Sequence, residues 1–217
     1  MLVKYPFTVA SLIDQGYRLL KDISDSPKLD AQILLCFIIN KPASFLLTWP
    51  DEIIKPEDTE QYQALLVRRQ QCEPIAYIIG TREFWSLPFY VSPATLIPRP
   101  DTETLIELVL DLYQQQELSV NDLDVDRDKV ACLDLGTGTG AIALSLASEM
   151  PLWNIHAIDF NIEAVELARK NAKNLALTQV SIYQSDWFSQ VGIEQKFNLI
   201  VSNPPYIDES DVHLTQG

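Results

Sequence analysis

The spacing of apolar and polar positions divides the chain into two parts with different periods. Over residues 1–75 the period is helical. In "TVASLIDQGYRLLKDI" Leu12, Ile13, Leu19, Leu20 and Ile23 fall near one face, which predicts an amphipathic helix. Ser26-Pro27 supplies an N-cap and a first-turn proline for "KLDAQILLCFIIN". "KPEDTEQYQALLVRRQQC" opens with Pro56 and acids, which suit the positive end of a helix dipole, and closes with Arg68 and Arg69. A small helical bundle is expected.

Residues 76–100 change character. "REFWSLPFYVSPATLIPRP" is aromatic, β-prone and broken by prolines, and predicts a β-hairpin or extended connector. "DTETLIELVLDLYQQQ", 101–116, returns to a helix that Asp101 can cap. The acids Asp122, Asp124, Asp126 and Asp128 alternate as in a calcium loop, without the required glycine and final glutamate, and read as a solvated loop.

From residue 130 strands and helices alternate. "VACLDL", "WNIHAID", "VSIYQSD" and "FNLIVS" read as strands, and "GAIALSLASEM" and "IEAVELARKNAKNLA" as helices. That order predicts an α/β fold: an open, mostly parallel sheet with helices on its faces.

Composition narrows the class. The chain has 217 residues, 47% hydrophobic and 21% charged, and mean hydropathy is +0.02, a globular composition. No apolar run nears the roughly 18 residues of a membrane span. The N-terminus lacks a basic start, a long apolar core and a small-residue cleavage site, and reads as a mature cytoplasmic start. Cys36, Cys72 and Cys132 have no metal-ligand spacing and are expected to be buried free thiols in a reducing compartment. The net charge of −14 is uneven, with 8 Lys and Arg against 10 Asp and Glu in residues 1–75, and 8 against 20 thereafter. The second part therefore repels a phosphate backbone on average.

The candidate chemistry lies at the ends of the predicted strands. In "LDLGTGTGA" Gly136, Gly138 and Gly140, with Thr137 and Thr139 between them, follow a strand and open a helix. Glycines there let the backbone turn tightly and approach a ligand. The spacing is G-x-G-x-G, preceded by Asp134, and no Gly-Lys-Ser/Thr follows, so a phosphate-binding P-loop is excluded. Asp159 ends the next strand, where an acid can accept hydrogen bonds from ribose hydroxyls. In "SDWF" Trp187 can pack on an adenine face and Asp186 can accept from its amine; the alternative is Trp187 as core filler. "FNLIVSNPPYI" stops abruptly at Asn203-Pro204-Pro205-Tyr206.

The acid with G-x-G-x-G, followed by these strand-end elements, resembles the class I S-adenosylmethionine-dependent methyltransferases, whose fold is Rossmann-like. In that superfamily an Asn-Pro-Pro-Tyr after the fourth strand implies methylation of a planar nitrogen. Its lone pair is delocalised, and the Asn203 side-chain carbonyl and Pro204 backbone carbonyl could accept from the NH2 group and orient it. Pro204 and Pro205 stiffen the loop and Tyr206 would pack on the planar group.

More closely, "REFWSLPFYVSPATLIPRPDTE", "LDLGTGTGAIAL", "QSDWF", "NPPYID", "SPKLDAQILL" and "FLLTWP" resemble the release factor glutamine methyltransferases, known as PrmC or HemK. The resemblance implies S-adenosyl-L-methionine as cofactor. It implies transfer of a methyl group to the side-chain amide nitrogen (N5) of the glutamine in the Gly-Gly-Gln motif of class I peptide chain release factors. Gly136 to Gly140, Asp159, Trp187 and Asn203 would bind the cofactor, and Asn203, Pro204, Pro205 and Tyr206 would hold the glutamine; no metal is implied.

The implied organisation is a helical release-factor-recognition domain over 1–75, a β-hairpin linker over 76–100 and a partial methyltransferase domain over 101–217. A cytoplasmic monomer in translation termination, without nucleic acid or membrane partners, is expected. Arg99 is either a structural ion-pair member or support for the active-site wall. The family's complete sheet has more strands than the four read here, so a C-terminally truncated chain is expected, with "FNLIVS" left as an edge. A DNA or RNA amino-methyltransferase, or an inactive fragment that only binds, are the alternatives.

Overall fold

The computed structural model describes residues 6–115 and 130–204. Two compact units divide between Ile79 and Gly80. In the first, β1 (Phe7–Thr8) leads into α1 (Val9–Leu20), followed by α2 (Pro27–Ile39), α3 (Ala43–Thr48), β2 (Ile53–Ile54), α4 (Pro56–Gln70) and α5 (Ile75–Ile79). β1 and β2 form a short antiparallel pair. A reciprocal capping box starts α1: Ser11 N donates to Thr8 Oγ1 and Thr8 N to Ser11 Oγ. Ser26 and Pro27 stand at the start of α2 as expected, but Asp30 is tied down by Ser24, whose hydroxyl donates to it at 2.7 Å, and by Arg69 at 2.9 Å. Leu12, Leu20, Leu34, Leu35, Tyr62 and Leu66 form the centre of this unit's core.

Three expectations need correction here. Leu19 and Ile23 are exposed, because the buried face of α1 runs through Val9, Leu12, Ile13, Gly16 and Leu20, and the helix ends before Ile23. Cys72 is exposed rather than buried, since it sits past the end of α4 in a left-handed turn at φ 64°. All three cysteines are free, and Cys132 alone of them is fully buried.

The second unit starts with the hairpin β3 (Thr81–Phe84) and β4 (Leu87–Tyr90), antiparallel about Trp85-Ser86, both at positive φ. That two-residue left-handed turn matches the strand twist. A single 3-10 turn, Pro100–Thr102, then precedes α6 (Glu103–Gln114). Asp101 therefore lies within the turn instead of capping the helix, and Thr102 takes the N-cap position. The four acids between 122 and 128 lie outside the described residues.

The α/β alternation follows: β5 (Ala131–Leu135), α7 (Ala141–Glu149), β6 (Asn154–Asp159), α8 (Ile162–Asn174), β7 (Ser181–Gln184) and β8 (Leu199–Ser202). Among the described residues the sheet is parallel throughout, in the order β7-β6-β5-β8. Cys132, Ile155, Ala157, Ile182 and Val201 point into the core built with α6, α7 and α8. Leu133, Leu135 and Ile158 alternate to the other face, with Tyr183, Val191 and Phe197. The described helices of the second unit, α6, α7 and α8, thus share one face of the sheet instead of covering both. The reason is topological: β5, β6 and β7 advance in one direction, and right-handed crossovers put α7 and α8 on the same side. The chain then returns past β5 to place β8 on its other edge. Strand order reverses at β5, and its C-terminal end is where an open sheet of this kind binds ligands.

Candidate functional site

The glycine loop leaves the end of β5 with Gly136, Gly138 and Gly140 at φ 72°, 56° and 82°. The amides of Gly136 and Thr137 both donate to the Ile158 carbonyl at 2.9 Å, which pins the loop to β6. A Cβ on Gly140 would lie 3.0 Å from Leu144 Cδ1 and 3.3 Å from Ala168, so packing as well as φ requires glycine there. A Cβ on Gly136 would meet nothing within 4 Å, so that glycine faces open space.

Beneath the loop Asp134 is fully buried. Its Oδ2 accepts from Thr137 Oγ1 at 2.6 Å and from Ala143 N at 3.3 Å, while Oδ1 has no hydrogen-bond partner among the described residues. Burial pushes its carboxyl up to about 6; the bonds from Thr137 and Ala143 oppose that rise, and the Asp159 charge adds to it.

Asp159 clamps the loop from β6. One carboxylate oxygen accepts from Gly138 N and the other from Asn161 N, both at 2.9 Å. Asn161 in turn caps α8 through Glu163 N. Each Asp159 oxygen has a second lone pair, so the clamp leaves acceptor capacity for a ligand.

At the end of β7 the buried Ser185 hydroxyl donates to the Trp187 carbonyl at 2.6 Å and accepts from Gln190 N at 3.1 Å. These bonds hold Trp187 at φ 48° with its side chain 65% exposed, so the core-filler alternative does not hold.

These segments meet at one cleft of about 220 Å³, whose lining includes Gly136, Asp159, Phe160, Asp186, Trp187, Ser202 and Pro204. The Ser202 hydroxyl donates to Leu135 O at 2.8 Å, joining the ends of β8 and β5. Next to it Asn203 Nδ2 donates to Thr102 Oγ1 at 2.9 Å. Pro205 and Tyr206 lie outside the described residues. Arg99 is exposed, forms no ion pair among the described residues, and accepts from Thr102 N through its carbonyl at 3.0 Å. No group of His, Cys, Asp and Glu among the described residues could hold a metal.

Sequence reasoning missed two contributors. Phe160 is 72% exposed on the cleft wall; an aromatic directly after the strand-end acid was its signal. Thr102 had no local signal, because its partner is 101 residues away.

The chemistry of the cleft is that of a site for a ligand with a flat apolar part and hydroxyls. The exposed rings of Phe160 and Trp187 offer apolar surface, Asp159 and Asp186 are acceptors, and the Gly136 backbone has no side chain to obstruct approach.

Comparison with known proteins bears on the same segments. A family model described as methyltransferase small domain matches residues 114–216, and one described as PrmC N-terminal domain matches residues 11–80. The chain is 50% identical over 209 residues to a release factor glutamine methyltransferase of Shewanella oneidensis, covering 96% of this chain and 68% of that protein. It is 52% and 54% identical, over 194 residues each, to proteins of that same description from Aliivibrio fischeri and Vibrio cholerae. Those matches take in 89% of this chain and 64% of each relative, so the chain spans just under two thirds of their length.

Proposed function

The chain belongs to the release factor glutamine methyltransferase family, and from that premise we propose that it methylates the side-chain amide nitrogen (N5) of the Gly-Gly-Gln glutamine in class I peptide chain release factors, using S-adenosyl-L-methionine. The observation that carries this reading is the junction at the end of β8. Asn203, anchored to Thr102, stands between Ser202 and Pro204, which line the cleft shared by the glycine loop, Asp159 and Trp187.

The roles follow from the chemistry. Bound in the cleft, the cofactor supplies a methyl group on a positively charged sulfur. Gly136, Thr137, Gly138, Thr139 and Gly140 shape the wall against it, and Gly136 leaves room for close approach. Asp159 accepts from its ribose hydroxyls while holding the loop; Trp187 and Phe160 offer faces for its adenine, and Asp186 accepts from the adenine amine. Asn203 Oδ1 and the Pro204 carbonyl accept from the glutamine NH2 and turn its nitrogen toward the methyl. Pro205 and Tyr206 keep the roles the motif implies, stiffening the loop and packing on the amide. Holding two groups in a near-attack arrangement is a large effect in such reactions, and no general base is needed before attack. The nitrogen would gain the methyl as the sulfur–carbon bond breaks and the sulfur departs as a neutral thioether, after which the amide proton is lost to solvent.

The helical unit is proposed to engage the release factor, and the protein to work as a cytoplasmic monomer in translation termination. Among the described residues no helix is long and apolar enough to cross a membrane.

Incubation with isotopically labelled cofactor and either a class I release factor or nucleic acid tests the reading. Label on the Gly-Gly-Gln glutamine is the expected result. Label on nucleic acid alone would overturn it, as would failure of calorimetry to detect cofactor binding.

A further inference from the structure

We propose that Gln184 is a positioning residue for cofactor binding: its side-chain amide holds the Phe160 backbone, and through it the Phe160 ring, in place on the cleft wall. The inference rests on the methyltransferase reading above for the identity of the ligand, and adds a residue to it.

Gln184 opens the motif "QSDWF", in which Asp186 and Trp187 have roles and Gln184 so far has none. It is the last residue of β7 and pairs in register with Asp159, the last residue of β6. One further ladder bond follows, Ser185 N to Asp159 O at 3.0 Å. The strands then part, β6 towards the Asn161 cap of α8 and β7 towards Trp187. The Phe160 carbonyl is the first beyond the ladder, and Gln184 Nε2 donates to it at 2.9 Å. A backbone carbonyl only accepts, so the end of the glutamine amide that faces it is the NH2 group.

The bond matters because of where Phe160 stands. Its ring is 72% exposed and lines the cleft, so core packing does little to fix it. Asp159 before it is tied to Gly138 N, and Asn161 after it to Glu163 N. The tie of Phe160 itself is the one from Gln184. Gln184 is exposed and is not among the residues that line the cleft, so its effect on a ligand there has to be transmitted, and Phe160 is the cleft residue it bonds. It thereby joins two strand ends that each bring an aromatic ring to the cleft, Phe160 after β6 and Trp187 after β7.

The test is a cycle of four proteins: wild type, Gln184→Met, Phe160→Ala and the double variant. Methionine keeps the length of the side chain and removes the donor, and at an exposed position it opens no cavity. Calorimetry measures S-adenosyl-L-methionine binding to each. Gln184→Met is expected to weaken binding about fivefold, the scale of one hydrogen bond. Phe160→Ala removes the ring that Gln184 positions, so the double variant is expected to bind within about twofold of Phe160→Ala alone.

An unchanged affinity in Gln184→Met overturns the positioning role. So does a loss of the same size with and without the Phe160 ring, which would mean that Gln184 acts through some other part of the fold. A wild-type chain that does not bind the cofactor would instead overturn the methyltransferase reading, and this inference with it.

Discussion

Asn171 pairs with the backbone of Tyr90 as a neighbouring strand would. Its Oδ1 accepts from Tyr90 N at 2.7 Å, and its Nδ2 donates to Tyr90 O at 3.0 Å and to Thr139 O at 2.8 Å. One wholly buried side chain on α8 thereby ties the hairpin strand β4 to the glycine loop. Asn171→Ala would leave all three backbone groups without this partner. With each buried unpaired group costing about 1–3 kcal/mol and some relaxation, a loss of about 3 kcal/mol is expected. A fall in the urea midpoint of the second unit checks it. Cofactor affinity should fall as well, because the Thr139 carbonyl loses its anchor.

Asp134 predicts a pH effect. Burial raises its carboxyl from 3.8 to about 6, so the folded chain keeps that proton at pH values where the unfolded chain has lost it. Between about pH 4 and 6 the folded state binds more protons, and stability falls as pH rises through that window. Above about pH 6 the penalty is complete, on the order of 3 kcal/mol at about 1.4 kcal/mol for each pKa unit. Asp134→Asn removes this group's titration. The stability of wild type minus that of the variant, measured by denaturant unfolding, should therefore decline from pH 4 to pH 6 and then level off. A flat difference would contradict the burial effect.

Gly16 sets how closely α1 approaches its neighbours. A Cβ there would collide with Tyr62 Oη and lie 2.6 Å from Ala31 Cβ, and Tyr62 is fixed by its bond to Leu12 O at 3.1 Å. Alanine is better than glycine in a helix by about 1 kcal/mol, and overpacking a core costs about 1–3 kcal/mol. The clash is with buried groups on two other helices, so the overpacking cost should outweigh the propensity gain and Gly16→Ala should be net destabilising by about 1–2 kcal/mol. Adding Tyr62→Phe removes the colliding oxygen, and the double variant should be less destabilised than the two single changes predict together. Thermal melts of the four proteins measure the coupling.

These cases also show what can be read from the sequence and what cannot. β5, β6, β7 and β8 were legible because each apolar run is short and ends at a polar or glycine residue. The glycine loop, Asp159 and Trp187 were legible as a set because all follow strands in one parallel sheet. The burial of Leu19 was misjudged, since a helix face is set by the neighbours it packs against as well as by spacing. The Thr102–Asn203 and Asn171–Tyr90 bonds left no periodic trace, because each joins segments at least 81 residues apart. Single hydrogen bonds between distant segments are products of the fold, and local propensity does not encode them.

Trp187 separates stability from binding. The residue is held at φ 48°, in the left-handed region, with most of its ring exposed on the cleft. A large side chain in that conformation contributes little to the core and carries a backbone cost. Glycine adopts the same φ without steric cost, and the bonds from Ser185 to the Trp187 carbonyl and from Gln190 N to Ser185 remain available. Trp187→Gly is therefore expected to leave the melting temperature unchanged or slightly higher. If the ring packs on adenine, losing an aromatic contact of about 1 kcal/mol beyond its buried area should weaken S-adenosyl-L-methionine binding by about tenfold. Calorimetry and a thermal melt on the same variant measure both quantities. Unaltered affinity with lowered stability would return Trp187 to a structural role and leave the adenine face to Phe160.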